Sequence, residues 1–311
     1  MAYPVIDAPI ERAYTKSNGS PGSRWGVGRS KPVTCIVLHY DATFSAYGTW
    51  DILTKRGLSV HQTVDRDGTR LKHVDDENRT WHAGRGAWLG MSNPNHFSLG
   101  SEITNIGWLE GVYDDSVGLS PYRWRNTDHP EIAPDFDGNE YYRKEKWGDK
   151  YVAVVTRQPA IQCPRDHRLN WKGYYWARYA EEQVKSVAEM ITAWLEKYPT
   201  ILLENIVGHE HVQPDDKSDP GPAFRDVWLY LEDVLEKWAQ ENRPELLDWT
   251  HQTELRVKAM QSHLDRLGLY SYGIDGKWGA GTQAACEEAL RLFYDDYGFI
   301  YVPKKENVLH I

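Results

Sequence analysis

The chain has 311 residues, 41% hydrophobic and 26% charged, which excludes collagen-like and disordered classes and allows one sizeable domain plus a small second one. The net charge is −9 and no basic stripe is present, so nucleic acid is not an expected partner. Cys35, Cys163 and Cys286 are too few and too widely spaced for a disulfide framework, which fits synthesis in a reducing compartment.

Residues 1–31 are polar and rich in Gly and Ser, and read as an irregular arm. The amino terminus lacks a basic region followed by an apolar stretch, so no signal peptide is expected. No window approaches the ~18 apolar residues of a membrane span. Residues 33–40 form a continuous apolar run, the pattern of a buried strand ending in His39 and Tyr40. Residues 59–64 and 69–74 flank Asp65-Arg66-Asp67-Gly68 and predict a hairpin. Residues 97–103 read as another strand. Over residues 108–172 Gly, Pro, Asp and aromatics follow no period, which predicts a long loop insertion. Val184, Val187, Ile191, Trp194 and Tyr198 then fall at helical spacing, and Pro199 stops the helix. Residues 201–207 read as a strand, and Phe224, Trp228, Leu231, Leu235 and Trp238 as a second helix. Strands alternating with helices predict a mixed α/β domain.

A polar stretch, 240–244, marks the linker to a separate tail. Val257, Met260, Leu264 and Leu267 make one helical stripe, closed by Gly268 and a turn at 272–276. Asp275 can brace that turn through its side chain, and Thr282 can cap a further helix running through Ala285, Ala289 and Leu292. The expected organisation is a catalytic domain over 1–243, with its core at about 33–240, and a small helical bundle over 244–311.

The densest polar cluster is Gly208-His209-Glu210-His211 through Asp215-Asp216-Lys217-Ser218-Asp219-Pro220-Gly221. It follows a strand and precedes a helix, so one loop can gather several side chains around a point. His209 and Asp219 offer an imidazole nitrogen and a carboxylate oxygen, and His39 is the third candidate zinc ligand. A catalytic zinc uses three protein ligands and keeps one position for water. Spacing alone does not choose between His209 and His211.

Several ordered blocks carry a resemblance. They are Ile36-Val37-Leu38-His39-Tyr40, the hairpin from Ser59 to Gly68, Trp81-His82-Ala83-Gly84, Phe97-Ser98-Leu99-Gly100-Ser101-Glu102, and the loop from Gly208 to Gly221. Together, over about residues 33–225, they resemble the zinc N-acetylmuramoyl-L-alanine amidases, a family that includes phage endolysins and is related to peptidoglycan-recognition proteins. The resemblance implies a mixed central sheet flanked by helices. It implies one zinc held by His39, His209 and Asp219, with Glu102 as general base and Lys217 as electrostatic stabiliser. His61, His82 and Trp81 lie in blocks that line the family's cleft and are candidate substrate contacts. Gln62 stands where an aromatic residue is common, and the 108–172 insertion is longer than usual.

The tail, with Gly273-Ile274-Asp275-Gly276-Lys277-Trp278-Gly279 and Thr282, resembles a small peptidoglycan-binding domain. The implied activity is hydrolysis of the amide between the muramic acid lactyl group and L-alanine. The implied setting is a phage endolysin made in the cytoplasm, acting on peptidoglycan as a monomer after release at lysis. A cytosolic muropeptide-recycling amidase, an exported antibacterial effector and a non-catalytic binding module are the alternatives. Loss of a ligand would mark the last, and every ligand position is filled here.

Overall fold

The computed structural model describes residues 2–123, 138–162, 175–214, 216–248 and 254–293. Its centre is a six-stranded sheet. The strands are β1 (Val5–Asp7), β2 (Cys35–Tyr40), β3 (Gln62–Val64), β4 (Arg70–Lys72), β5 (Ser98–Ile103) and β6 (Ile206–Gly208), in the spatial order β1-β4-β3-β5-β2-β6. Only the β3–β4 hairpin is antiparallel. Gly68 closes that hairpin with a φ of 86°, and the Gly68 N–H donates to the Asp65 carbonyl (3.0 Å).

The period of two decides which side chains meet which layer. Ile36 and Leu38 of β2, with Leu99 and Ile103 of β5, point into the main core. There they meet α2 (Glu181–Lys197) and α4 (Arg225–Asn242) through Val187, Ile191, Trp194, Leu231 and Leu235. Each such fully buried side chain contributes about 1.5–3 kcal/mol. Cys35 and Val37 face the opposite side, with Trp88, Leu89, Phe97, Val207 and Val212. The sequence reading passes over α1 (Ala46–Arg56), whose apolar stripe is short. Its ends are nonetheless well marked. The Ser45 hydroxyl accepts the Gly48 N–H (3.1 Å), and Gly57 ends it at φ 70°.

Two regions expected to be irregular carry strands. The amino-terminal arm lays β1 against β4 and adds a small hairpin, Ala13–Thr15 with Pro21–Ser23. All three residues of β1 are exposed, so no alternation reveals it. The described part of 108–172 is not a loop. Tyr141–Trp147 pairs along its whole length with Lys150–Thr156, flanked by Gly111–Val112 and Pro121–Arg123. A second small sheet joins Trp108–Leu109, Tyr175–Ala177 and Ala160–Gln162. These strands carry Tyr, Arg and Lys on their exposed sides, which hides the period. Residues 124–137 and 163–174, with Cys163, lie outside the described residues.

The carboxyl-terminal helices α5 (Glu254–Arg266) and α6 (Ala280–Phe293) pack on each other through Met260, Leu264, Ala285, Cys286 and Ala289. Asp275 braces the intervening turn as expected, accepting the Lys277 N–H (2.9 Å). Thr282 is not a cap. It lies inside the first turn of α6, buried, and accepts a hydrogen bond from Gln261 (3.2 Å). The side chain of Leu292 and all of 294–311 lie outside the described residues. Beyond the turn at Pro244–Leu246, α5 lies directly against the sheet. Ala259 is buried with Cys35, Val37 and Trp88, and the Ser262 hydroxyl accepts the Leu89 N–H (3.1 Å). Arg256 and Glu204, both almost fully buried, form an ion pair at 3.0 Å. The sheet therefore carries α2 and α4 on one face and α5 on part of the other.

Candidate metal centre

The cluster forms on the α5 side of the sheet, at the carboxyl ends of β2, β5 and β6. His39 follows Cys35 and Val37 on that face, and the parallel register sets Glu102 of β5 directly beside it. β6 ends at Gly208, and His209 opens the short helix α3 (His209–Val212). His39 Nδ1, His209 Nδ1 and Asp219 Oδ2 converge. The separations are 3.0 Å between the two nitrogens, 2.9 Å from His39 to Asp219 and 3.0 Å from His209 to Asp219.

The loop bearing Asp219 is tied at several points. The Glu210 N–H donates to the Asp219 carbonyl (2.8 Å), and the Tyr179 hydroxyl donates to the Pro220 carbonyl (2.8 Å). Gly221 sits at φ 81°, and a Cβ there would lie 2.2 Å from the Trp176 ring, so only glycine lets the loop turn under that indole. The structure also separates the two histidines that spacing leaves equivalent. His211 Nδ1 accepts the Gly208 N–H (2.9 Å) and its ring faces Trp228 and His263, while His209 alone turns to His39 and Asp219.

Burial shapes the protonation of the cluster. It lowers the His39 pKa to about 4, helped by the neighbouring His209. Burial opposes ionisation of Asp219, yet His209 and His39 hold its carboxyl below the usual range. Burial also pushes Glu102 well above the ordinary carboxylate range, reinforced by Asp41 and Asp219, and its Oε2 is buried without a hydrogen-bond partner. Two imidazole nitrogens and one carboxylate oxygen face a common point, and each can offer a lone pair to a cation. Three such atoms about 3 Å apart suit one cation at bonds of about 2.0–2.2 Å. The donor set thus fits zinc.

The other expected site residues are distributed unevenly. Lys217 is half-exposed, with its ammonium 3.4 Å from Asp216, and its charge is felt at both His39 and Glu102. His61 is fully buried. Its Nδ1 accepts the Gly100 N–H (2.9 Å), and its Nε2 lies 3.2 Å from the Asn78 carbonyl and 2.8 Å from the Arg29 guanidinium. Trp81 is turned to the amino-terminal hairpin, its indole donating to the Ser23 carbonyl (2.8 Å) under the Arg79 guanidinium. His82 joins the centre from behind, its Nδ1 lying 2.9 Å from His39 Nε2. Asp215 lies outside the described residues.

Sequence reasoning passes over Asp41. Its partly buried carboxylate accepts from the Thr43 N–H (2.9 Å), the Asn105 N–H (3.0 Å) and the Thr49 hydroxyl. Burial raises its pKa to about 6 against these hydrogen bonds. An acidic residue directly after a buried strand and its terminal histidine was the available signal.

Comparison with known proteins gives one family. The family model described as N-acetylmuramoyl-L-alanine amidase matches residues 29–222. A putative N-acetylmuramoyl-L-alanine amidase of Rickettsia conorii is 30% identical over 99 residues, 31% of this chain and 37% of that protein. The 1,6-anhydro-N-acetylmuramyl-L-alanine amidase AmpD of Escherichia coli is 24% identical over 167 residues, 54% of each. The chain thus spans about half, or less, of these curated relatives. Among solved structures, AmiD from E. coli with the substrate anhydro-N-acetylmuramic acid-L-Ala-D-gamma-Glu-L-Lys is similar at 19% identity and a TM-score of 0.43. That match covers 92% of this chain and all of AmiD (100%).

Proposed function

The chain belongs to the N-acetylmuramoyl-L-alanine amidase family, and we propose that it is a zinc hydrolase cutting the amide between the lactyl group of N-acetylmuramic acid and L-alanine. The convergence of His39, His209 and Asp219 beside Glu102 carries this reading. His39, His209 and Asp219 would hold the zinc ion, which would supply Lewis-acid polarisation of the amide carbonyl and ease deprotonation of the attacking water. The Glu102 carboxylate, one strand away from His39, takes the proton of the attacking water. It then returns a proton to the nitrogen of the departing L-alanine. Lys217, whose charge is felt at His39 and Glu102, stabilises negative charge growing on the carbonyl oxygen.

The wall itself is the proposed substrate, in an endolysin role, with α5, α6 and their turn as the peptidoglycan-binding part. The names of the AmpD relatives favour a second reading, cleavage of soluble anhydromuropeptides. Digestion of purified sacculi, followed by mass spectrometry, tests the first. New amino-terminal L-alanine, no rise in reducing sugar and loss of the products on chelation are expected. Fragments that keep the muramic acid–alanine linkage overturn the bond assignment. Activity on soluble anhydromuropeptides with none on sacculi overturns the endolysin role and leaves the bond assignment standing.

A further inference from the structure

We infer that His82 is a positioning residue for His39, through a one-way chain of hydrogen bonds that selects which His39 nitrogen faces the cation. The inference rests on the zinc reading of the triad. The Ser98 hydroxyl lies 2.8 Å from the Pro94 carbonyl, an acceptor only, and so spends its single proton there. Toward His82 Nε2, at 3.1 Å, the same oxygen can only accept. His82 therefore carries its proton on Nε2 and presents a bare Nδ1. That Nδ1 lies 2.9 Å from His39 Nε2 and accepts from it. His39 is left with its proton on Nε2 and a lone pair on Nδ1, the atom 2.9 Å from Asp219 and 3.0 Å from His209 Nδ1. Each tautomer follows from the network, starting from a carbonyl that has no choice.

The backbone is shaped to admit the His82 ring. Gly100, between Ser98 and Glu102 on the same face of β5, leaves room for the ring against the strand. A Cβ there would come within 2.5 Å of the ring's Cγ and Nδ1. Asn95 Oδ1 holds the backbone at His82 itself by accepting both the His82 N–H (3.1 Å) and the Ala83 N–H (2.9 Å). The residue is thus held at its backbone N–H, at both ring nitrogens and by the close approach of Gly100. A second hydrogen bond on a metal-binding histidine orients the imidazole and raises its basicity, and losing it typically weakens metal binding about 10–100-fold.

The test has two readouts besides activity. Long-range proton–nitrogen NMR of the metal-free full chain should show both His39 and His82 protonated at Nε2. Zinc affinity, measured by chelator competition, should fall roughly 10–100-fold in His82→Phe, which keeps the ring volume and loses the acceptor. His82→Asn, whose Oδ1 can accept at the δ position, should recover most of that loss. Gly100→Ala, which displaces the ring, should weaken zinc in the same direction. Equal affinity in wild type and His82→Phe, or equal loss in the Phe and Asn variants, would overturn the positioning role. So would a His39 that carries no proton at Nε2. A wild-type chain that binds no zinc would instead overturn the underlying metal reading, and the tautomer measurement then judges the hydrogen-bond chain by itself.

Discussion

Arg256→Leu probes how firmly α5 is built onto the sheet. Arg256 is 3% exposed and its Nε lies 3.0 Å from Oε1 of Glu204, which is 1% exposed. The guanidinium also donates to the Leu246 carbonyl (2.7 Å) and to the Asp248 carbonyl, so it joins the approach to α5 to the helix itself. Neither Glu204 oxygen has an aligned hydrogen-bond partner, and Arg256 is the counter-charge that holds the carboxyl down against burial. Removing it strands a buried carboxylate, a change that typically costs about 3–5 kcal/mol, against a total stability of about 5–15 kcal/mol for a domain. Urea unfolding at neutral pH should show a loss of that size. Glu204→Leu should be costly too, while the Arg256→Leu/Glu204→Leu pair should recover much of it, because no uncompensated charge remains. In Arg256→Leu the folded pKa of Glu204 rises further above its unfolded value. The protonated carboxyl is the form the fold tolerates, so the deficit should shrink as pH falls and grow as pH rises. A loss under about 1 kcal/mol, or no recovery in the double variant, would mean that α5 lies loosely on the sheet and that its buried contacts hold nothing together.

Two further outcomes follow from the same geometry. Glu102→Gln should keep zinc, since its carboxyl is not in the ligand triangle, and lose about 10²–10⁴ in rate. Zinc content by elemental analysis and turnover of muropeptide check this, and near-normal turnover would put the proton transfers elsewhere. His61, whose pKa burial lowers to about 3, is held neutral in the fold. Its contribution is complete above the unfolded value of about 6.5 and is lost as pH falls from there toward 3. The acid-side decline of stability should therefore be shallower in His61→Gln, by about 1.4 kcal/mol per pH unit in that window. Identical slopes in the two proteins would show that His61 is not kept neutral.

Much of the scaffold is legible in local pattern. The apolar run ending at His39 is β2 because both faces of that strand are covered, by α2 and α4 on one side and by Trp88, Leu89 and α5 on the other. The stripes through Val187, Ile191 and Trp194 and through Leu231 and Leu235 are helices because one face of each meets the sheet. Asp65-Arg66-Asp67-Gly68 is a turn because Gly68 accepts a positive φ. Such features depend on neighbours a few residues apart, and the sequence by itself determines them, along with the blocks that carry the family resemblance.

Other features depend on partners far apart in the chain, and only the tertiary structure decides them. His209 and His211 are two residues apart in one helix and chemically identical. The helical twist turns one toward β2 and the other toward Trp228. The hairpin within 108–172 escapes its own pattern because its exposed sides need no apolar residues. Composition assigned α5 to a separate tail, and its stripe fits α6 well. Yet Arg256 reaches Glu204 and His263 Nε2 lies 2.9 Å from the Glu204 carbonyl, polar contacts that no hydrophobic period announces. His82 meets His39 43 residues away because β5 carries a glycine where the ring must lie. A period reports burial along one element, whereas the proton order of a metal site is set by which donors and acceptors the fold brings within 3 Å.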